Sequence, residues 1–150
     1  MLNITIDTLT QADVAQMARV ESAAHLHPWS QASLADCFGR LYRVIGAWDQ
    51  QGSALLGFAI VQQILDEVTL MDICVQPQSQ GLGIGKLLLT NVIEQAKAHN
   101  GALIMLEVRE SNLGAIGLYT AQGFKQTGLR KDYYPTADGH EPALLMDYML

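Results

Sequence analysis

Apolar and polar residues follow short regular patterns in the first part of the chain, and these patterns predict a strand and two helices. Residues 2–7 alternate between apolar and polar, as a half-buried strand does. Apolar residues then recur every three or four positions up to Ala24, which predicts a helix. Thr10 and Asp13 have the spacing of an N-terminal capping box for that helix. Ser30 is a residue type that caps helices, and we expect it to begin a second, shorter one.

The pattern changes from helix to strand at residue 41. Residues 41–48 and 54–64 predict an antiparallel hairpin, joined by a polar turn that contains Gly52. Asp66 and Glu67 mark a further turn, after which residues 68–75 predict a third strand. These three segments are therefore expected to form an antiparallel meander.

Helices and strands alternate in the second half of the chain. The predicted elements are a helix over 86–100, a strand over 102–109, a helix over 113–122, and strands over 124–133 and 143–148. The residues expected on the inward face of the first of these helices are Leu87, Leu88, Val92, Ile93 and Ala96. The strand over 102–109 is so rich in apolar residues that we expect both of its faces to be buried. Asn112 and Gly123 are suited to cap the second helix at its two ends.

This order of elements predicts one α+β domain over residues 1–150. Its sheet should be mixed and mostly antiparallel, with six or seven strands and about four flanking helices. The strands near 70–76 and 102–109 are separated by a helix, so they should form a central parallel pair. Ligands of such sheets bind outside the carboxyl ends of the parallel strands, which here are Val75 and residues 107–109.

Composition narrows the class of protein further. Hydrophobic residues make up 49% of the 150 residues, but no apolar run approaches the roughly 18–20 residues of a membrane span. Cys37 and Cys74 are the only cysteines, and neither has metal-ligand spacing, so we expect reduced thiols, no metal and a cytoplasmic protein. The net charge of −6 argues against nucleic acid as a partner and is compatible with a basic peptide.

A glycine-spaced loop connects the apolar strand 70–76 to the helix that follows it. The loop and the first residues of the helix comprise Gln80, Gly81, Leu82, Gly83, Ile84, Gly85 and Lys86. A loop at a helix N-terminus presents free backbone N–H groups and a positive dipole, which suit a phosphate or pyrophosphate. The dinucleotide fingerprint fails because Gly85 comes one residue early, and the nucleoside-triphosphate loop fails because Leu87 has no hydroxyl for magnesium.

The remaining pattern, Q-x-x-G-x-G between a strand and a helix, resembles the acetyl-coenzyme A loop of the GNAT N-acetyltransferases. Further segments resemble one branch of that family, which acetylates the N-terminal alanine of a small-subunit ribosomal protein. These segments are HPWS at 27–30, DEVTL at 66–70, LEVRESN at 106–112, IGLYTAQGF at 116–124 and YYPTADG at 133–139. The resemblance extends over nearly the whole chain. Gly114 and Gly117 depart from it, since that branch usually has alanine there.

The resemblance implies a set of functional residues. The backbone of Ile73, Cys74 and Val75 would pair with the pantetheine arm, and residues 80–86 would hold the pyrophosphate. Asn112 would hydrogen-bond the pantetheine region, Glu107 would be the general base and Tyr119 the general acid. The side chains expected to line the peptide groove are Trp29, Arg130, Tyr133 and Tyr134. The implied co-substrate is acetyl-CoA, and the implied partner is the N-terminal peptide of a ribosomal protein.

Three of these residues also have a purely structural interpretation. Glu107 lies in an apolar strand where a carboxylate could take the proton of an amine, but it could equally pair with Arg109. Tyr119 shares a helix face with Asn112, where it could protonate a departing thiolate or simply pack in the core. Trp29 either contacts a substrate or fixes its loop to the core.

Three functions remain open from the sequence. The first is N-terminal protein acetylation, and the second is acetylation of a small amine such as a polyamine or an antibiotic. The third is a non-catalytic acyl-CoA sensor, which the presence of both Glu107 and Tyr119 argues against. A monomer or a weak dimer is expected, without a membrane partner.

Overall fold

The computed structural model describes residues 3–150, in which a seven-stranded sheet carries helices on both faces. The strands are β1 (Thr5–Thr8), β2 (Tyr42–Trp48), β3 (Leu55–Ile64), β4 (Glu67–Val75), β5 (Leu103–Arg109), β6 (Lys125–Thr136) and β7 (Gly139–Met149). The helices are α1 (Val14–Ala24), α2 (Gln31–Ala35), α3 (Ile84–Ala98) and α4 (Leu113–Gln122). Short 3-10 turns at Gln11–Asp13 and Pro77–Ser79 precede α1 and α3.

The strand order is β1-β2-β3-β4-β5-β7-β6, and every neighbouring pair is antiparallel except β4 with β5. The predicted mixed sheet with a central parallel pair and four helices is therefore confirmed. The parallel pair arises because α3 crosses from the end of β4 back to the start of β5, as a right-handed βαβ unit requires.

The two parallel strands pair over only three residues. Their register runs from Glu67 opposite Leu103 to Thr69 opposite Met105, and residues 70–75 have no partner on that side within 3–150. On its other side, β4 pairs with β3 along nearly its whole length, with one register shift that leaves Met71 without a partner. A bulge of this kind bends the strand and increases its twist. The sheet therefore splits between β4 and β5, and the edge of residues 70–75 facing β5 is unpaired.

The core has two parts, one on each face of the sheet. α3 and α4 cover one face, where Leu88, Leu89 and Val92 are fully buried. α1 and α2 cover β2, β3 and β4 on the other face, around Met17 and Phe58. Neither α1 nor α2 makes an extensive contact with β5, β6 or β7, so this end of the second face is left open.

Two packing predictions are wrong. Leu87 is 36% exposed, while Leu89 is fully buried, because Leu87 lies outside the buried stripe of α3. That stripe consists of Ile84, Leu88, Leu89, Val92, Ile93 and Ala96. β5 is buried on one face only, through Ile104, Leu106 and Val108, since no helix within residues 3–150 covers the other face.

The helix caps agree with the sequence predictions. Thr10 and Asp13 form the capping box ahead of α1, and the Ser30 hydroxyl accepts a hydrogen bond from the Ser33 N–H at the start of α2. Gly123 ends α4 with φ +108°. Cap side chains act within one helical turn, which is why such local signals can be read from the sequence.

Strand boundaries agree less closely. The turn after β3 is Leu65-Asp66, and Glu67 already belongs to β4. Of the first predicted strand, residue 2 lies outside the described residues, and residues 5–8 form β1. β6 and β7 both extend further toward their shared turn than expected. Among residues 3–150, no helix combines the length and apolar character needed to cross a membrane.

Candidate active site

The glycine loop adopts a conformation that suits an anion. Gly81 and Gly83 have φ values of +78° and +86°, in the left-handed region that favours glycine. Gly83 is the N-cap of α3 and has no side chain to satisfy the helix, so the first N–H groups of α3 lack intrahelical partners. Ile84 anchors this helix start in the core, whereas Lys86 is exposed. The loop therefore presents backbone donors on a fixed helix end.

The unpaired edge of β4 leads directly to this loop. The N–H of Gln76 donates to the Leu56 carbonyl at 2.7 Å, which makes these two residues a hydrogen-bonded pair of the β3–β4 ladder. In an antiparallel strand the N–H and C=O of one residue point to the same side, and that side alternates from residue to residue, so those of Ile73 and Val75 face the open edge. The N–H and C=O of Cys74 face β3, which corrects the expectation that its backbone is free for pantetheine. Gln80 Nε2 donates to the Val75 carbonyl at 3.1 Å and fixes the loop to the strand end.

α4 approaches the same end of the sheet. A Cβ on Gly85 would lie 3.3 Å from the Leu118 side chain, so glycine allows α3 and α4 to pack closely. Asn112 caps α4, because its Oδ1 accepts a hydrogen bond from the Ala115 N–H at 3.2 Å. The Asn112 amide nitrogen is the part of this side chain that is left to meet a ligand.

A groove of about 730 Å³ lies on the open face over the split between β4 and β5. Its lining comes from the α1–α2 loop and from four strands: Trp29, Thr69, Leu70, Met71, Met105, Leu106, Glu107, Thr127, Arg130, Tyr133, Tyr134, Leu145 and Asp147. The predicted side chains Trp29, Glu107, Arg130, Tyr133 and Tyr134 are thus brought together. The groove is open because helices cover this face only over β2, β3 and β4.

Glu107 is the acidic residue at the middle of β5 in this groove. Its side chain is 30% exposed, and Oε1 lies 3.3 Å from Nη2 of Arg130. A hydrogen bond to Glu107, followed by the charge of its carboxylate, raises the pKa of the Tyr133 phenol. The expected burial of Glu107 in an apolar strand is therefore wrong, because its side chain leaves the sheet on the open face. Its carboxylate is accessible to an amine.

The structural alternative for Glu107, an ion pair with Arg109, is also wrong. Arg109 Nη1 instead lies 3.1 Å from Oε1 of Glu141 and donates to the Pro135 carbonyl at 2.8 Å. Glu141 also accepts hydrogen bonds from the N–H and hydroxyl of Ser111. These contacts join the end of β5 to the β6–β7 hairpin and leave Glu107 free of that network.

A distortion of β6 aims three of its side chains into the groove. Arg130 pairs with Ala143 and Tyr134 pairs with Glu141, so three residues of β6 stand opposite one residue of β7. Within this bulge Asp132 has φ +53°. In a regular strand Tyr133 would face away from Arg130 and Tyr134. The bulge brings all three to one surface, where the Tyr133 and Tyr134 rings meet edge to face at 4.9 Å.

Tyr119 occupies a different position from the groove residues. It is buried in the core of α3 and α4, with its ring 5.7 Å from that of Phe124. Burial is the main cause of the raised pKa of its phenol, and nearby Asp72 and Tyr134 raise it further. The phenol is therefore protonated at neutral pH, as a proton donor must be.

Trp29 fixes its loop to the core and also forms part of the groove lining. Its side chain is half-buried and packs against the core formed by α1 and α2. It also lines the groove, and the backbone N–H of Trp29 donates to Oε2 of Glu21 at 3.1 Å. The loop is thus fixed to the core at the residue that forms one wall of the groove.

Several groove residues were not predicted from the sequence. Met105 could have been found, because alternation along β5 places it on the same face as Glu107. Thr127 and Asp147 carry no local signal, since only the pairing of β6 and β7 brings them to this surface.

Comparison with known proteins agrees with this geometry. Residues 12–124 match the acetyltransferase (GNAT) family. The chain is 39% identical over 142 residues to the ribosomal protein bS18-alanine N-acetyltransferase of Escherichia coli K12, covering 95% of each chain. It is 40% identical over 142 residues to the enzyme of the same name from Haemophilus ducreyi, covering 94% of this chain and 97% of that one.

The solved structure of the ribosomal-protein-S18-alanine N-acetyltransferase from Escherichia coli has the same architecture. Its TM-score with this chain is 0.93 at 37% sequence identity, covering 98% of this chain and 94% of that one. The family match extends from α1 to the end of α4 and so includes the glycine loop, the split sheet and Glu107. The chain belongs to the GNAT family of acetyltransferases.

Proposed function

We propose that this protein transfers the acetyl group of acetyl-CoA to the α-amino group of an N-terminal alanine on a small-subunit ribosomal protein. The observation that carries the choice of substrate is the similarity to bS18-alanine N-acetyltransferase, which covers 95% of both chains. In this proposal the enzyme acts in the cytoplasm as a monomer or weak dimer, with neither nucleic acid nor membrane as a partner.

The donor would lie along the split in the sheet. GNAT enzymes use acetyl-CoA. Pantetheine carries amide groups, which can pair with the peptide groups of Ile73 and Val75 as an added strand would. Its pyrophosphate would then reach the N–H groups of residues 81–86 at the start of α3. The side chains of Leu82 and Lys86 are exposed beside this path, and the Asn112 amide would meet the pantetheine region from α4.

The acceptor amine would enter from the groove. An α-amino group has a pKa of about 7.7–8, so much of it is protonated at cellular pH and must lose a proton before attack. The Glu107 carboxylate is exposed to the groove and takes this proton, directly or through one water. The neutral nitrogen then attacks the thioester carbon. As the carbon–sulfur bond breaks, the phenol of Tyr119 gives its proton to the departing thiolate. The nitrogen loses its second proton as the amide forms, and a proton returned through water restores the Tyr119 phenol.

The walls of the groove would select the peptide. Trp29 stands on one side, and Arg130, Tyr133 and Tyr134 stand on the other, with Glu107 between them. The aromatic rings offer flat surfaces to the first residues of a chain. The cation–π contact of Arg130 with the Tyr133 ring, 5.2 Å from its centroid, holds this wall together.

The test compares acetyl transfer to three acceptors: a short peptide that begins with alanine, spermine and free lysine. We expect the highest kcat/KM for the peptide. The same peptide with a blocked N-terminus and an internal lysine is the matched control, and it should remain unmodified. Preference for spermine or lysine would contradict the peptide function and favour a small-molecule acetyltransferase. Binding of acetyl-CoA without transfer to any acceptor would favour a sensor.

A further inference from the structure

A buried polar cluster lies behind the Trp29 loop, where α1 packs against β4. It comprises Glu21 and His25 at the end of α1 and Asp72 and Cys74 in β4. Glu21 is only 1% exposed and the Asp72 side chain 9% exposed. One nitrogen, oxygen or sulfur atom from each of the four residues lies within 4.8 Å of the others. The function proposed above uses none of these side chains.

The hydrogen bonds in this cluster leave one oxygen without a partner. Glu21 Oε2 accepts from the backbone N–H of Trp29 at 3.1 Å, and Oε1 accepts from the Cys74 thiol at 3.7 Å. Asp72 Oδ1 lies 3.7 Å from His25 Nε2, which is longer than a hydrogen bond. Asp72 Oδ2 and His25 Nε2 are both fully buried, and neither has a hydrogen-bond partner within residues 3–150. A buried polar atom in this situation requires an explanation.

A shared proton accounts for the unpartnered oxygen of Asp72. Two carboxylates that face each other in a buried site do not both ionise, because each charge opposes the other and water is excluded. If Asp72 carries a proton, its O–H can donate to Glu21, and the unpartnered oxygen becomes a hydrogen-bond donor. The Glu21 oxygen that accepts from the backbone N–H of Trp29 keeps that hydrogen bond.

We propose that Asp72 is protonated at neutral pH, donates a hydrogen bond to Glu21, and through Glu21 positions Trp29 at the wall of the groove. Asp72 and Glu21 are thus positioning residues, since neither lines the groove itself. The effect on peptide binding rests on the proposed function, whereas the shared proton does not depend on it.

The electrostatic surroundings of the pair support this assignment. Burial, followed by the hydrogen bond to Glu21 and by its charge, raises the pKa of Asp72 to about 9. The other titratable groups that face the pair are His25 just after α1, Cys37 after α2, Cys74 on β4 and Tyr119 on α4. Burial also raises the pKa of Cys37, Cys74 and Tyr119, so those three are neutral at pH 7.

Protonation of Asp72 makes its contribution to folding stability depend on pH. The carboxyl of Asp72 binds its proton more tightly in the folded chain than in the unfolded chain, where its pKa is about 3.9. Its contribution to folding is therefore fully present below pH 4 and is lost as the pH rises toward 9. Above pH 9 two buried carboxylates would repel each other and release the Trp29 loop.

The experiment uses Asp72→Asn, whose amide N–H can replace the carboxyl O–H without titrating, and Asp72→Ala, which removes the donor. The kcat and KM for the peptide are measured from pH 6 to 9.5. The kcat/KM of each variant is divided by that of wild type at the same pH, which cancels the titration of the substrate. We expect Asp72→Asn to match wild type at pH 7 and to exceed its kcat/KM about fourfold at pH 9.5, through KM. Asp72→Ala should raise peptide KM about tenfold at pH 7, with kcat little changed.

An ion pair between Asp72 and protonated His25 would give the opposite profile. Asp72→Asn would then lose kcat/KM near pH 6 and match wild type at pH 9. That result, or a ratio that stays constant with pH, would overturn the shared proton. Zinc that copurifies at one equivalent, or a rise in Tm with added Zn²⁺, would also overturn it, because a metal would then balance the cluster.

A second readout needs no acetyl transfer. Trp48→Phe removes the other tryptophan, so fluorescence reports Trp29 alone. We expect the emission of Trp29 to shift toward longer wavelength between pH 8 and 9.5, and Asp72→Asn to abolish this shift. The difference in Tm between Asp72→Asn and wild type should likewise shift in favour of the variant as the pH rises. If these readouts change while no peptide is acetylated, the shared proton stands and only the proposed function fails.

Discussion

The two halves of the candidate site are built from different parts of the polypeptide. The donor half consists of the free edge of β4, the glycine loop and the start of α3, and it presents mainly backbone N–H and C=O groups. The acceptor half is the groove, which presents side chains from the Trp29 loop and from β4, β5, β6 and β7. The donor half is also continuous in sequence, from Leu70 to Leu89, whereas the groove draws on residues from 29 to 147.

The two halves therefore tolerate different kinds of substitution. A backbone site depends on conformation, so the substitutions that damage it are those that change φ and ψ. A side-chain site depends on chemical groups, so even an isosteric replacement can remove its activity. The following variants test this contrast, from the largest expected effect to the smallest.

The largest effect is expected for Glu107→Gln, which keeps the shape of the side chain and removes the proton acceptor. Peptide turnover at pH 7 should fall about 10²- to 10³-fold, because general-base catalysis contributes about this much. The Kd of acetyl-CoA, measured by calorimetry, should stay unchanged. Glu110→Gln is the matched control, since Glu110 is exposed three residues further along. Full activity of Glu107→Gln at pH 7 would show that another base acts.

Tyr119→Phe should lower kcat about 100-fold while acetyl-CoA affinity stays nearly intact, because only the proton for the leaving thiolate is lost. The buried ring can keep its packing against Phe124, so Tm should change little. Tyr148→Phe is the control, since its ring also packs against that of Phe124, with the centroids 5.3 Å apart. Steady-state and single-turnover kinetics give the comparison. Unchanged turnover would remove Tyr119 from the mechanism.

Gly83→Ala tests the backbone half. A left-handed conformation costs a non-glycine residue about 1–2 kcal/mol, so the loop should leave it and the Kd of acetyl-CoA should rise about fivefold to thirtyfold. Gly52→Ala is a matched control, because Gly52 has φ +69° in the β2–β3 turn and a Cβ there also meets no atom within 4 Å. It should lower stability by a similar amount and leave the Kd unchanged. Equal Kd values for both variants would argue against a backbone cradle.

The smallest effects are expected on α4. A Cβ on Gly114 or Gly117 would meet no atom within 4 Å, so alanine at either position should stabilise the helix by about 0.5–1 kcal/mol. Urea denaturation of the unliganded protein measures this gain. A simultaneous loss of acetyl-CoA affinity would indicate that acetyl-CoA occupies the open space beside that glycine. Lower stability of both variants would contradict the helix argument.

The sequence was most informative where a structure depends on neighbouring residues. The strand, glycine loop and helix from Leu70 to Leu89 could be predicted because proline, glycine and apolar spacing act over a few positions. Caps such as Thr10 and Ser30 were predictable for the same reason. The start of α3 was placed two residues late, since Gly83 serves as its N-cap without any capping side chain.

The groove depends on contacts between distant segments, which no local pattern records. The bulge at residues 131–133 turns Tyr133 to the face of Arg130, and the salt bridge of Arg130 with Glu107 joins β6 to β5 across β7. The sequence points to Glu107 as a candidate base, but it reveals neither the partner of this residue, Arg130, nor its exposure. Its exposure follows from the short reach of α1 and α2 over the sheet, a tertiary property that the apolar pattern of β5 cannot reveal.

The free edge of β4 also bears on how this chain can change by mutation. Peptide groups are the same under every side chain except proline, so substitutions at Ile73 and Val75 that preserve the strand leave its hydrogen-bonding pattern intact. The groove has no such protection, because each of its walls is a particular side chain. Descendants of this gene can therefore acquire a new acceptor by altering the groove while they inherit the same acyl donor.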